Sequence, residues 1–288
     1  MKAPMSVGSR VCPHCGALNA VDEARCHRCS KAMPGPMRTA LGDWVGTGLG
    51  QEFPVTQLLI GFSTLVFMLS VLGKGPFPLW MSDGVRTSEA LRFGALLVPS
   101  GWSEPWRHLS AVFVHANALH LLLNLLALLS LGRAAEAAIG WSRFTVAFVG
   151  SGCLGYLVSH AWFVLWGTRG ALLVGASGAI FGLLGLEVGI LLARRAWEAR
   201  SRLLRALALA AVIGLMIPVN NSAHLGGLLA GVAIGYALGK ERRRAQHDRL
   251  LAGVAGVLLV ACVVSVLLSA HSPQWRAARQ YEIATGQD

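Results

Sequence analysis

The chain has 288 residues, 54% of them hydrophobic and 14% charged, a balance that excludes an ordinary soluble domain and fits an all-α polytopic membrane protein. Its formal charge of +11 raises the question of a nucleic-acid partner. The basic residues instead gather in "RRAWEARSRLLR" and "KERRRAQHDR", beside apolar runs where they set membrane orientation, so no nucleic acid is expected.

The first 33 residues form a polar module. "CPHCG" and "CHRCS" set Cys12, Cys15, Cys26 and Cys29 as two Cys-x2-Cys pairs ten residues apart. Four thiolates at this spacing suit a tetrahedral structural Zn²⁺, each pair binding from one knuckle, with Gly16 allowing the tight turn. A closed four-cysteine site leaves no position for catalysis, and so short a segment buries too little core to fold without the metal. Two disulfides or a redox pair are the alternative; the charge count below places the module in the cytoplasm, which favours zinc. The module resembles a small zinc ribbon, with His14 and His27 as spectators. Residues 34–54, rich in Gly and Pro, read as a linker. Six basic and four acidic residues over 1–54 name no partner for the module.

The first apolar run starts near Val55 and no cleavage pattern follows it, so a secretory signal is not expected. Seven stretches have the length and apolarity of membrane spans: roughly 55–72, 109–131, 143–166, 174–193, 203–218, 224–239 and 250–270. The fifth and sixth are joined by "VNNSA", a tight hairpin. The connection 73–108 carries an amphipathic stripe, "EALRFGALLV", and Trp80, Trp102 and Trp106. These features suit the headgroup level of the outer leaflet, with a solvated loop as the alternative. With the N-terminus inside, 18 of the 25 Lys and Arg fall in cytoplasmic segments and 7 outside. The predicted orientation is a cytoplasmic N-terminus and an outer C-terminus, in a bacterial cell membrane. Residues 241–270 are then a basic loop with the seventh span, and 271–288 a C-terminal tail.

Within the fourth span, "LLVGASGAIFGLL" holds a single hydroxyl, Ser177. Read alone it is a helix-packing serine, since Gly178, Gly182, Gly185 and Gly189 make a small-residue face. The sixth span carries the matching stripe, Gly227, Gly231, Gly235 and Gly239, and His224 lies on the same side. Two such stripes let backbones approach and bring an imidazole towards the hydroxyl, where it can accept the proton of a weak nucleophile. His120 and Asn124, spaced i, i+4 in "HLLLN", are candidate donors to an oxyanion, together with the Ser177 backbone N–H. Bonding to neighbouring helices is their alternative role. Among the acids only Glu187 lies well within a span, ten residues or ~15 Å along the helix from Ser177. The candidate chemistry is therefore a Ser-His dyad without a third member.

At these residues the chain resembles the rhomboid family of intramembrane serine proteases. The likeness runs from about residue 55 to 240 through ordered motifs: Trp106-Arg107, His120 with Asn124, Gly132 with Glu136, "GASG" around Ser177 and "AHLGG" with His224. The resemblance implies a six-helix catalytic core open to water from the outer face, with 250–270 as an added seventh helix. It implies that Ser177 is the nucleophile, that His224 is the base and acid, and that His120 and Asn124 hold the oxyanion. It further implies transmembrane protein substrates cut near the outer leaflet and no metal in catalysis. Phe181 stands where several bacterial relatives carry a tyrosine; its ring is expected to stack on His224 without supplying a hydroxyl.

Other polar residues are given bland roles. On a helix, His115 would sit about 140° from His120 and outside the same hole. His160 is expected to bond across helices, Glu187 to reach the cytoplasmic side near Arg194 and Arg195, and Glu136 and Arg133 to tie loop backbone. A catalytically silent rhomboid fold that binds transmembrane clients is the alternative to the protease. A transporter or metal-handling protein is disfavoured by the missing mid-membrane acids.

Overall fold

In a computed structural model of the chain, the described residues are 9–11, 18–20, 23–31, 54–72, 84–197, 200–205, 207–208, 220–241 and 245–286. They divide into two units, residues 1–53 and 54–288. In the first, β1 (Ser9–Val11) pairs antiparallel with β2 (Leu18–Ala20), with Arg10 opposite Asn19. A tight turn follows. Cys26 N–H donates to Lys31 O at 2.9 Å, Ser30 N–H donates to Cys26 O at 2.9 Å, and Ser30 takes φ +59°. Cys12, Cys15, Gly16 and the linker up to residue 53 lie outside the described residues.

The second unit is helical. Five helices among the described residues are long and apolar enough to cross a membrane, so the protein is a multi-pass membrane protein. They are α1 (Pro54–Val71), α4 (Ala118–Ile139), α5 (Trp141–Leu165), α7 (Asn221–Lys240) and α8, which spans Ala245–Ser269. Two short helices, α2 (Thr87–Arg92) and α3 (Arg107–Ser110), precede α4, and α6 (Ser177–Ala193) is a shorter apolar helix. The chain closes with α9, Pro273–Ala284. A two-stranded ladder joins β3 (Leu96–Leu97) to β4 (Leu172–Leu173), antiparallel, with Leu96 opposite Leu173. Pro54 opens α1, where a missing N–H costs nothing. The next two amides are capped from α4: Glu136 accepts from Val55 N–H at 3.1 Å and from Thr56 N–H at 2.9 Å.

The seam between α6 and α7 is the most extensive contact in the unit. A Cβ on Gly227 would collide with Gly178 O, one on Gly231 with Gly182 O, and one on Gly235 with Leu186 O; from the other side, Gly185 meets Leu228 O and Gly189 meets Val232 O. The two backbones touch along three turns, and each glycine Cα–H faces a carbonyl oxygen, as small-residue faces in membranes permit.

Some expected boundaries move. The second span was expected to start at residue 109, but α4 starts at Ala118. Asn117 Oδ1 accepts from His120 N–H at 2.8 Å and caps it, while Val114 before it is extended, at φ −87° and ψ 140°. The stripe in "EALRFGALLV" is helical only to Arg92, and Leu96–Leu97 is strand. Residues 273–284 of the expected tail are helix. The expected span 203–218 lies mostly outside the described residues, as does Trp80; of the hairpin "VNNSA" after it, Asn220 is the N-cap of α7 and residues 221–223 are already its first turn.

Candidate active site

Ser177 opens α6 because the chain cannot be helical just before it. Gly175 has φ +114°, a conformation in which a Cβ is strained. Its N–H donates to Ala111 O at 2.9 Å and its carbonyl accepts from Tyr156 OH at 2.7 Å. Helical bonding begins with Ile180 N–H to Ala176 O at 3.0 Å. The N–H groups of Ser177, Gly178 and Ala179 are therefore left without intrahelical acceptors, at the positive end of the helix dipole.

His224 sits in the first turn of α7. Asn220 Oδ1 caps that turn, accepting from Ala223 N–H at 3.0 Å, and also takes the Ser159 hydroxyl of α5 at 2.9 Å. The seam then brings the two helix starts together. His224 Nε2 lies 2.8 Å from Ser177 Oγ. With the hydroxyl donating, Nε2 accepts and the imidazole proton rests on Nδ1, which has no hydrogen-bond partner among the described residues. The Phe181 ring, one turn after Ser177, stacks on the imidazole at 4.5 Å and 25°. His224 is 4% exposed, while Ser177 is partly open. An imidazole held edge-on to a hydroxyl in this way can take its proton as the oxygen bonds to an electrophile.

His120 reaches the same corner. A Cβ on Gly175 would stand 2.7 Å from both Cε1 and Nε2 of its ring, so this position accepts only glycine beside the imidazole. Asn124, 6% exposed, donates through Nδ2 to His120 O at 2.7 Å. The amide fixes the turn that carries His120 and retains a second N–H for another acceptor.

Residues 103–241 match the Rhomboid domain family. Rhomboid protease GluP of Bacillus subtilis (strain 168) is 32% identical over 227 residues, which are 76% of this chain and 41% of that protein. RHOMBOID-like protein 5 of Arabidopsis thaliana is 38% identical over 156 residues, 51% of this chain and 48% of that one. Rhomboid-type serine protease 2 of Emericella nidulans is 32% identical over 145 residues, 49% and 27% of the two chains. The chain spans less than half the length of these relatives.

Elsewhere in and beside residues 103–241, not every side chain keeps its sequence reading. His115 was set apart from His120 by a helical angle, yet the two rings meet edge to face with centroids 5.1 Å apart. The angle does not apply, because His115 precedes the Asn117 cap and is not on α4. It is fully buried, and its Nε2 has no hydrogen-bond partner among the described residues. Glu187 pairs with Arg202 at 3.2 Å.

Other readings hold. His160 does bond across elements, its Nδ1 lying 2.9 Å from His108 Nε2 and its ring stacked on Trp102 at 4.4 Å. Glu136 ties backbone as expected, but that of α1 rather than of a loop. Three supports were missed. Tyr156 left no periodic signal. Asn220 could have been read as an N-cap within "NNSAH". The partners of Arg107 lie too far along the chain to be inferred.

Proposed function

We propose that the chain is an intramembrane serine endopeptidase that cuts transmembrane protein substrates near the outer membrane face. The 2.8 Å contact between Ser177 Oγ and His224 Nε2 carries this reading, and the names of the relatives support it. Ser177 Oγ attacks the scissile carbonyl carbon as His224 Nε2 takes the hydroxyl proton. The oxyanion forms against the free N–H groups at the start of α6, with His120 and Asn124 as further donors. The C–N bond then breaks, His224 returns its proton to the leaving amine, and an acyl-Ser177 ester remains. Water, deprotonated by His224, cleaves the ester and restores the hydroxyl. A substrate helix has to unwind to be cut, since its backbone leaves lipid only where a wet cavity receives it.

The test is cleavage of a reconstituted transmembrane substrate. Ser177→Ala is expected to lower turnover by at least about 1,000-fold, and unchanged cleavage overturns the reading. Activity should fall towards acid as His224 takes up a proton, and unchanged cleavage in His224→Ala removes its role as base. A client-binding protein without activity predicts that a fluorophosphonate leaves Ser177 unlabelled.

We also propose a six-helix core with α8 as a seventh span, the segment 203–218 supplying the span not described. The charge split supports a cytoplasmic N-terminus, and residues 271–288 should then react with an impermeant reagent from outside. For the N-terminal module the proposal is structural Zn²⁺ held by Cys12, Cys15, Cys26 and Cys29. Arg28 N–H donates to Cys26 Sγ at 3.4 Å, a contact that suits a thiolate in a metal knuckle. Bound zinc would supply folding energy and no catalytic chemistry. One zinc per chain in the wild type, lost in Cys26→Ser, is the expected metal analysis; zinc retained in the variant rejects the site.

A further inference from the structure

The helix α9 lies outside the matched residues 103–241, and nothing so far gives it work. Its contacts converge on the segment between residues 86 and 110. Arg107 is fully buried there. Its guanidinium donates to Leu91 O at 2.7 Å, Ala95 O at 2.8 Å, Glu104 Oε2 and, from Nη2, Ser272 Oγ at 2.6 Å. Ser272 is the N-cap of α9, accepting from Trp275 N–H at 3.2 Å. Two residues on, Gln274 Nε2 donates to Ser100 O at 2.8 Å. From the end of α8, Ser269 Oγ accepts from Trp106 Nε1 at 3.2 Å. At the far end of α9, Glu282 accepts from Ser88 N–H at 2.9 Å and from the Ser88 hydroxyl. Between them the Arg92 guanidinium lies 5.3 Å over the Trp275 ring. The segment is thus gripped at Ser88, at Arg92 and at Trp106-Arg107 by residues 269–282.

What is gripped leads directly to the candidate site. Val98 N–H donates to Ala171 O at 3.0 Å and Gly170 N–H to Val98 O at 2.9 Å, extending the Leu96–Leu97 ladder with Leu172–Leu173. The latter strand runs straight into Gly175 and Ser177. Ala111, next after α3, holds Gly175 N–H, and Val85 N–H donates to Ala116 O at 2.7 Å, beside the Asn117 cap that sets His120. The tail therefore touches neither Ser177 nor His224, but grips the piece of chain against which both the nucleophile's strand and the His120 turn are registered.

We propose that α9 is a clasp, with Ser272 and Glu282 as positioning residues that act through Arg107 and Ser88 to hold the backbone on either side of the Ser177 corner. What the clasp positions rests on the hydrolase reading; the clasp itself does not. Glu282 satisfies two donors of α2 that would otherwise be buried without acceptors. Ser272 takes one of the five N–H groups of a guanidinium with no access to water. Loss of either contact frees one end of the segment without touching the α6–α7 seam.

The experiment uses the full chain in lipid, with Glu282→Ala, Ser272→Ala and the milder Gln274→Ala, and reads amide exchange together with fluorophosphonate labelling. Exchange in 95–98 and 171–176 should rise about tenfold in Glu282→Ala and Ser272→Ala, and less in Gln274→Ala, while amides in 178–189 and 227–239 keep their rates. Labelling of Ser177 should slow about fivefold at the same final extent, with kcat falling alike and KM unchanged. Glu282→Gln, which keeps an acceptor for Ser88, should recover most of both. Wild-type exchange in 95–98 and 171–176 in all three alanine variants overturns the clasp, whatever the protein hydrolyses. If Glu282→Ala and Ser272→Ala do not fold, wild-type exchange in Gln274→Ala is sufficient to overturn it. Raised exchange in a protein whose Ser177 never labels keeps the clasp and removes the hydrolase.

Discussion

The α6–α7 seam and the α9 clasp hold the same corner by opposite means. The seam contains no side-chain hydrogen bond along its glycines; backbone meets backbone, and its strength is contact. The clasp is built from a buried guanidinium, two nearly buried carboxylates and several hydroxyls, and its strength depends on every donor finding an acceptor. Shape gives the seam its register, since a one-residue slide would drive each glycine's neighbour into a carbonyl. Charge gives the clasp its register, since a displaced Arg107 would be left unpaired in a site without water. The two therefore fail differently: the seam through added volume, the clasp through a removed partner.

The largest effect is expected on the polar side. Arg107→Ala leaves Glu104, 3% exposed, without the guanidinium that neutralises it, and should cost about 3–5 kcal/mol. Burial already pulls the Arg107 pKa below its ordinary value, against the pull of Glu104. Arg107→Met combined with Glu104→Gln should recover a substantial part of the loss, because it removes the charge pair rather than half of it. Denaturant melts of the three proteins check this, and a double variant no better than Arg107→Ala would show that the pair is not the source of the cost.

The second effect probes the seam. A Cβ on Gly231 would strike the Gly182 carbonyl, whereas one on Gly253 in α8 meets nothing within 4 Å. Gly231→Ala should therefore cost about 1–3 kcal/mol, with slower fluorophosphonate labelling as Ser177 and His224 separate, and Gly253→Ala should be neutral or slightly stabilising. Equal melting temperatures for the two variants would mean that the seam tolerates volume and that shape does not set its register.

The same contrast explains what could be read in the sequence. The seam was legible because each helix declares its own face: glycines at steps of three or four residues on 178–189 and of four on 227–239 need no knowledge of the partner, and Ser177 and His224 fall on those faces. His115 was misread because a continuous apolar run hid the start of α4, though Asn117 three residues before His120 is the capping signal that would have placed it. The clasp was illegible for a different reason. Arg107 and Ser272 are 165 residues apart and Ser88 and Glu282 are 194 apart, and no local pattern links them. Only its frame could have been seen, for Ser272-Pro273 is an N-cap followed by proline at the first helical position, and it was passed over as tail.

The smallest effect lies between the two kinds of contact. At the C-terminal end of α7, Glu241 accepts from Arg143 Nε and Nη2, each at 3.0 Å, and Arg143 also reaches Asp248 Oδ1 at 2.7 Å. The hydrogen bonds from Arg143 hold the Glu241 carboxyl below its ordinary value of 4.5. A depressed carboxylate contributes stability that is complete above its unfolded pKa and is lost as pH falls through the lower folded one. Asp248 is half exposed, so water screens the group and the contribution stays small. Glu241→Gln should melt about 2 °C below wild type at pH 7. The gap should close as pH falls below 4.5. A gap that persists undiminished into acid would mean that Glu241 acts by shape, as the seam does, and not by charge.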